Sequence, residues 1–174
     1  MEQITAEKID LRYVIISHAH CDHIGGVAAF RKALPDVKIG AASQEKDLLA
    51  HPEHNNSTVL YGRSFTVEPD IWVSDGDTLT VGGIKLTFLE TPGHSPGSMS
   101  VVIDGCVFSG DTLFRGAIGR TDVCGCSFDA EMDSIRTKLY TLPGETVVLP
   151  GHDEHTTIEY QKKYNVFNSY ILQL

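Results

Sequence analysis

Apolar residues fall along the chain in short blocks, separated by turns bearing glycine, proline and aspartate, and the blocks alternate between strand and helix periods. Residues 12–17 read as a buried strand. Gly25 and Gly26 then open a helix whose Val27, Phe30 and Leu34 share one face, and Pro35-Asp36 closes it. Residues 37–41 form a short strand. Ser43 is placed to cap a second helix through Ala50, with Glu45 near its positive end. Residues 51–70 are polar and carry no clear period. Asp75-Gly76-Asp77 and Gly82-Gly83 are turn signals around Leu79–Val81, and residues 84–90 form the next strand. Residues 99–103 and 106–109 flank Asp104-Gly105, a two-residue hairpin signal. A helix is predicted over 128–139, with Met132, Ile135 and Leu139 on one face. A buried strand follows at 146–149, and residues 156–164 are predicted helical. Strands alternating with helices in this way predict an α/β layered domain.

The 174 residues fit a single domain spanning 1–174 with a sizeable core. Fourteen basic against 23 acidic residues give a formal charge of -9, which argues against nucleic acid or an anionic membrane surface as partner. Carboxylates that hold divalent cations would account for part of that acidity. No apolar run is long enough to span a bilayer and the N-terminus carries no signal-peptide pattern, so the expectation is a cytoplasmic protein. The four cysteines do not suggest a disulfide scaffold. Cys124 and Cys126 read as two reduced thiols in a Gly-rich loop, with metal binding as the lesser alternative, and Cys21 as a small filler.

Chemistry concentrates at residues 18–23, His-Ala-His-Cys-Asp-His, where four metal-ligand side chains occupy six positions. In an extended segment His18 and His20 point to the same side, and a turn at the strand end brings Asp22 and His23 around the same spot. This donor set suits two adjacent metal ions better than one. The bland alternative, a polar strand end whose histidines have ordinary hydrogen-bond partners, accommodates such ligand density poorly.

The other apolar strands end in the same manner. Residues 84–90 run into Thr91-Pro92-Gly93-His94, residues 106–109 into Gly110-Asp111, and residues 146–149 into Pro150-Gly151-His152. Each terminates in a glycine-bearing turn that presents one His or Asp. Ligands gather outside the carboxyl ends of strands in layered α/β proteins. A lone Gly-His is more often a satisfied surface histidine; two of them, with Gly-Asp and the opening cluster, form a strong set.

These motifs, with Thr91–Ser98, Phe108–Gly116, Ile118–Asp122 and Pro150-Gly-His152 in order, resemble the metallo-β-lactamase superfamily and within it the glyoxalase II-like hydrolases. The resemblance covers essentially the whole chain and implies an αββα sandwich. It also implies one metal on His18, His20 and His94, a second on Asp22, His23 and His152, and Asp111 bridging both. The aspartate at position 111 is similar to glyoxalase II rather than to the β-lactamases. His20, where flavodiiron oxidoreductases carry glutamate, favours hydrolysis over oxygen reduction. Zinc is the expected ion, with manganese and iron compatible.

The implied reaction is attack of a metal-shared hydroxide on a small ester or thioester, with Asp22 orienting the nucleophile. Two alternatives are a mononuclear iron persulfide dioxygenase of the same superfamily and a metal-binding but inactive truncated homologue. No Ser-His-Asp arrangement is apparent; Ser95 and Ser98 read as turn caps. Arg115 and Arg120 either shape the rim of the site or brace its loop. His51, His54 and His155 read as exposed loop residues, Lys162 and Lys163 as a solvated face, and Tyr160 and Tyr164 as packing.

Members of the family usually place several strands and an Asp-Pro-Gly turn ahead of the His-rich motif, and only residues 1–12 stand there in this chain. The expectation is an open sheet edge and an uncovered apolar face. A truncated gene start, a degenerate remnant and a homo-oligomer covering that face are the competing explanations, with the oligomer preferred. Glyoxalase II carries a helical extension that binds glutathione, and only about twenty residues follow His152 here, so a glutathione thioester is compatible with the sequence but unsupported by it; the expected partner is a small-molecule substrate.

Overall fold

The computed structural model describes residues 2–123 and 125–173. The reading of Cys124 lies outside the described residues. Helix α1 (Glu2–Ala6) leads to strand β1 (Tyr13–Ile15), and the His-rich segment coils into α2 (Cys21–Ile24) before α3 (Val27–Ala33). Strand β2 (Lys38–Ala42) and a 3-10 turn (Ser43–Glu45) precede α4 (Lys46–Ala50), α5 (Ser57–Tyr61) and β3 (Ile71–Val73). Four strands follow, β4 (Thr78–Val81), β5 (Ile84–Glu90), β6 (Met99–Ile103) and β7 (Cys106–Gly110). A small ribbon of β8 (Leu113–Phe114) and β9 (Ala117–Ile118) leads to α6 (Phe128–Ser134). The chain closes with β10 (Val147–Pro150), β11 (Thr156–Thr157), α7 (Ile158–Tyr164) and α8 (Asn168–Ile171).

Two main sheets result. The first has order β1-β2-β3 with both pairings parallel, Val14 opposite Ile39 and Ala41 opposite Trp72. The second has order β11-β10-β7-β6-β5-β4, in which only β10 and β7 pair in parallel.

Three apolar clusters set the layers. Ile16, Ile24, Val27, Ile39 and Leu49 join the first sheet to α2, α3 and α4. Val107, Ile135, Leu139, Val148 and Ile158 join the second sheet to α6 and α7. Ala42, Val73, Phe88, Met99 and Val101 lie between the sheets, backed by Ile15 and Leu86. The molecule is therefore a helix–sheet–sheet–helix sandwich, the α/β class that the sequence predicts. Fully burying a side chain of Phe88 type contributes ~1.5–3 kcal/mol, so the inter-sheet layer is a substantial part of what holds the two halves in register.

β5 runs antiparallel to β6, and β6 antiparallel to β7, so β5, β7 and β10 point the same way and their carboxyl ends share one rim. The Met99 N–H donates to the Ser17 carbonyl at 2.9 Å, which brings the end of β1 to that rim as well. β1 is an edge strand, as expected. Beside it a groove of ≈ 660 Å³ opens between the sheets, lined by Leu11, Ile15, Leu86, Val101, Phe108 and Leu149.

Several elements differ from the sequence reading. Ser43 does not cap a helix: it lies in the 3-10 turn, its hydroxyl donates to Gln44 Oε1, and α4 begins at Lys46. The helix predicted over 128–139 is α-helical only to Ser134 and continues as a π-helical turn over Ile135–Leu139. Thr156 and Thr157 pair with β10, and Thr157 then caps α7 by accepting the Tyr160 N–H at 3.2 Å. The helix after the glycine pair is α3, which opens at Val27 behind Gly26 as expected; the unpredicted addition is the short α2 ahead of it, so Asp22 and His23 stand on a helical turn.

Candidate metal centre

Four carboxyl-terminal strand ends deliver the site. After β1 come His18 and His20, after β5 His94, after β7 Asp111 and after β10 His152, while α2 turns Asp22 and His23 inward. All seven sequence-predicted residues converge. One ligand atom from each of His18, His20 and His94 lies within 4.8 Å of the others, and the same holds for Asp22, His23 and His152. His20 Nδ1 is 2.8 Å from His94 Nε2. His152 Nε2 is 3.1 Å from Asp22 Oδ2 and 3.3 Å from His23 Nε2. Asp111 sits between the sets, its Oδ2 3.7 Å from His94 Nε2 and 3.5 Å from His152 Nε2, its Oδ1 3.3 Å from His23 Nε2.

The donor chemistry fits divalent cations. His18 is 1% exposed, its Nδ1 lies 3.3 Å from Ser17 Oγ, and its Nε2 has no hydrogen-bond partner. Asp111 Oδ1 is likewise buried without one. A buried polar atom left unpaired costs ~1–3 kcal/mol, and a cation removes that cost for both atoms. Burial, reinforced by the charges of His23 and His94, holds the His18 imidazole well below its usual pKa, and burial with His94 pushes His20 down to about 4. Both rings are thus neutral at pH 7, the form in which imidazole binds metal. Burial opposes ionisation of Asp111, yet the His23 imidazole 3.3 Å away and the neighbouring His94 and His152 hold the carboxyl below its ordinary value.

Glycines shape the cradle. A Cβ at Gly151 would overlap Asp111 Oδ1 and approach His23 Cε1 to 2.7 Å, so only glycine lets the β10 turn pass that close. Gly93, at φ +148°, lies against Glu131, whose space a Cβ would enter.

Three supporting groups escape a reading of sequence periods. Glu131 Oε2 accepts the His94 N–H at 2.8 Å. The Arg120 carbonyl lies 2.9 Å from His94 Nδ1. Glu45, placed by sequence at a helix start, is instead fully buried, where its carboxylate accepts from Ala19, Ser95 and Gly97. Nothing in local spacing links residues 45 and 131 to the site, since each is flanked by exposed polar residues such as Gln44, Lys46, Asp129 and Asp133.

The remaining candidates sort cleanly. Cys21 is buried, with its thiol pKa raised by burial, as a filler requires. Cys126 Sγ donates to the His94 carbonyl at 2.7 Å. Ser95 is buried and bonded to Glu45, not poised as a nucleophile. Arg115 braces: it pairs with Glu154 at 3.1 Å and stacks 5.0 Å from the Tyr160 ring centre. Arg120 stands at the rim, paired with Asp122. His51 and His54 are exposed and share Asp47, at 3.0 and 2.6 Å. Above the ligands a cavity of ≈ 320 Å³ is lined by Asp22, Leu60, Phe114, Arg120, Val123 and His152, among others. Among the described residues no helix is long and apolar enough to cross a membrane.

The family model described as the metallo-beta-lactamase superfamily matches residues 1–152. The probable metallo-hydrolase YqgX of Bacillus subtilis is 40% identical over 157 residues, covering 88% of this chain and 74% of that protein. Hydroxyacylglutathione hydrolase GloC of Haemophilus influenzae is 30% identical over 172 residues, covering 96% and 80%. The mitochondrial persulfide dioxygenase ETHE1 of Homo sapiens is also 30% identical, but the match covers 56% of its length. Among solved structures, the BLEG-1 B3 metallo-beta-lactamase superposes with a TM-score of 0.89 at 35% identity, covering 95% of this chain and 81% of that one.

Proposed function

This chain belongs to the metallo-beta-lactamase superfamily, and from that premise we propose that it is a dinuclear metal-dependent hydrolase of a small ester or thioester. The observation that carries the reading is the placement of Asp111 between two imidazole-rich sets, His18, His20 and His94 on one side and Asp22, His23 and His152 on the other. Each set would hold one divalent cation, with Asp111 shared. Imidazole and carboxylate donors suit zinc, and manganese or iron fit the same set.

Bound there, two such cations supply a water of lowered pKa and polarise a carbonyl oxygen. The protein does the rest. Asp22 faces the cavity, where its carboxylate orients the attacking water and accepts its proton. Leu60, Phe114 and Val123 give the cavity an apolar wall that suits a small acyl group. Arg120 shapes the rim of this cavity, its guanidinium paired with Asp122. The likeness to GloC, named a hydroxyacylglutathione hydrolase, supports a thioester as substrate.

The likeness to a persulfide dioxygenase supports a second reading, in which His18, His20, His94 or Asp111 holds a single iron. Metal content measured with a panel of esters and thioesters tests both. Two ions per chain with turnover is the expected result. Two ions without turnover of any ester or thioester would overturn the hydrolase reading; one iron with oxygen uptake would replace it by the second.

A further inference from the structure

The fully buried carboxylate of Glu45 joins the two segments that carry the first histidine set. Its Oε2 accepts the N–H of Ala19, the residue between His18 and His20, at 2.6 Å. Its Oε1 accepts the Ser95 hydroxyl at 2.8 Å and the Gly97 N–H at 2.6 Å, both in the turn that begins with His94. Partners lie 26, 50 and 52 residues away, so this is a tertiary tie and not a local turn. No ion pair among the described residues includes Glu45; hydrogen-bond donors alone satisfy it there. Contact is close on the far side as well, because a Cβ at Gly97 would lie 2.8 Å from the Glu45 nitrogen.

We infer that Glu45 is a positioning residue for the first cation site, fixing the separation of the His18–His20 segment from His94. The inference rests on the dinuclear reading above. A buried carboxylate is costly unless every lone pair is used. Here the donors that satisfy it are on the segments that must be held together, so the cost is met only when the three imidazoles are correctly spaced. Glutamine cannot substitute: its amide NH₂ would face an N–H or O–H donor on one side.

The test is zinc affinity, measured by chelator competition in the wild type and in Glu45→Gln, each also in a His152→Ala background that leaves only the first set complete. Melting temperatures are recorded with and without zinc. Glu45→Gln is expected to weaken the first site roughly 10–100-fold and to shrink the rise in Tm that zinc brings. Ser95→Ala removes one donor while keeping the carboxylate. It is expected to weaken the same site by a smaller factor, and it serves if Glu45→Gln fails to fold. Equal losses of Tm with and without zinc, at wild-type affinity, would make Glu45 merely structural and overturn the inference alone. Absence of zinc binding by the wild type would overturn the dinuclear reading and the inference with it.

Discussion

His94 Nδ1 lies 2.9 Å from the carbonyl oxygen of Arg120, and because a carbonyl only accepts, the ring proton sits on Nδ1 and the lone pair on Nε2. That lone pair faces His20 Nδ1 at 2.8 Å. A backbone group far along the chain thus sets the tautomer of a ligand, an arrangement that also holds the ring's orientation.

Gly119 is where this loop can be broken. A Cβ there would overlap the Asp111 carbonyl oxygen and come within 3.1 Å of His94 Nδ1. The first obstacle is backbone and cannot swing aside. Gly119→Ala is expected to cost at least ~1–3 kcal/mol and to lower bound metal, read by thermal melting and metal content. A variant with wild-type Tm and full metal occupancy would show that the loop is not held as described.

Asp22 is assigned two roles, cation ligand and proton acceptor, and one substitution tests the second. Its Oδ2 is 3.1 Å from His152 Nε2, and the side chain lines the cavity. Asp22→Asn keeps the size but not the basicity. A fall in kcat of ~10²–10⁴ is expected when the variant is compared with wild type at matched metal content. Near-normal kcat at full occupancy would remove Asp22 from the proton-transfer role.

The ligand set is legible in sequence because each member follows an apolar strand, and β5, β7 and β10 share a direction that puts their turns on one rim. Short-range period suffices for that. It fails where structure depends on distant partners: Glu45 has helix-start chemistry locally, yet its acceptors are used by Ala19, Ser95 and Gly97. The polar stretch 51–70 hides α5 and leaves β3 unannounced, since Ile71–Val73 is too short to show alternation. The π-helical turn at Ile135–Leu139 preserves the buried positions Ile135 and Leu139, so the apolar spacing reads as ordinary helix.

Core and site are separable. Ile135 is fully buried in the cluster between the second sheet and its helices. None of the seven ligand residues belongs to that cluster. Ile135→Ala is expected to cost ~2–5 kcal/mol in denaturant unfolding while metal stoichiometry per folded chain stays unchanged. Loss of metal in the folded variant would instead couple this layer to the site.

Glu131 gives the cation-free protein a pH dependence of known sign. Burial pushes its carboxyl up to about 9; the His94 N–H bond opposes this and the charge of Asp111 adds to it. Unfolded, the group titrates near the ordinary value of 4.5. Between these limits the native state holds a proton that the unfolded chain releases. The resulting stability is fully present below the unfolded pKa and falls as pH rises towards 9, by up to ~1.4 kcal/mol per pH unit. His20, pushed down to about 4, acts in the opposite sense but only below its unfolded value of 6.5. His23 is half-buried, which disfavours its cation, but Asp111 outweighs this and raises its pKa, so it adds to the loss above 6.5. The informative quantity is therefore the difference between wild type and Glu131→Gln, whose amide oxygen still accepts the His94 N–H but does not titrate. In chelator-treated protein the wild type is expected to lose stability more steeply than Glu131→Gln from pH 6.5 to 9. Parallel profiles from denaturant unfolding across that window would show that Glu131 is already ionised in the cation-free state.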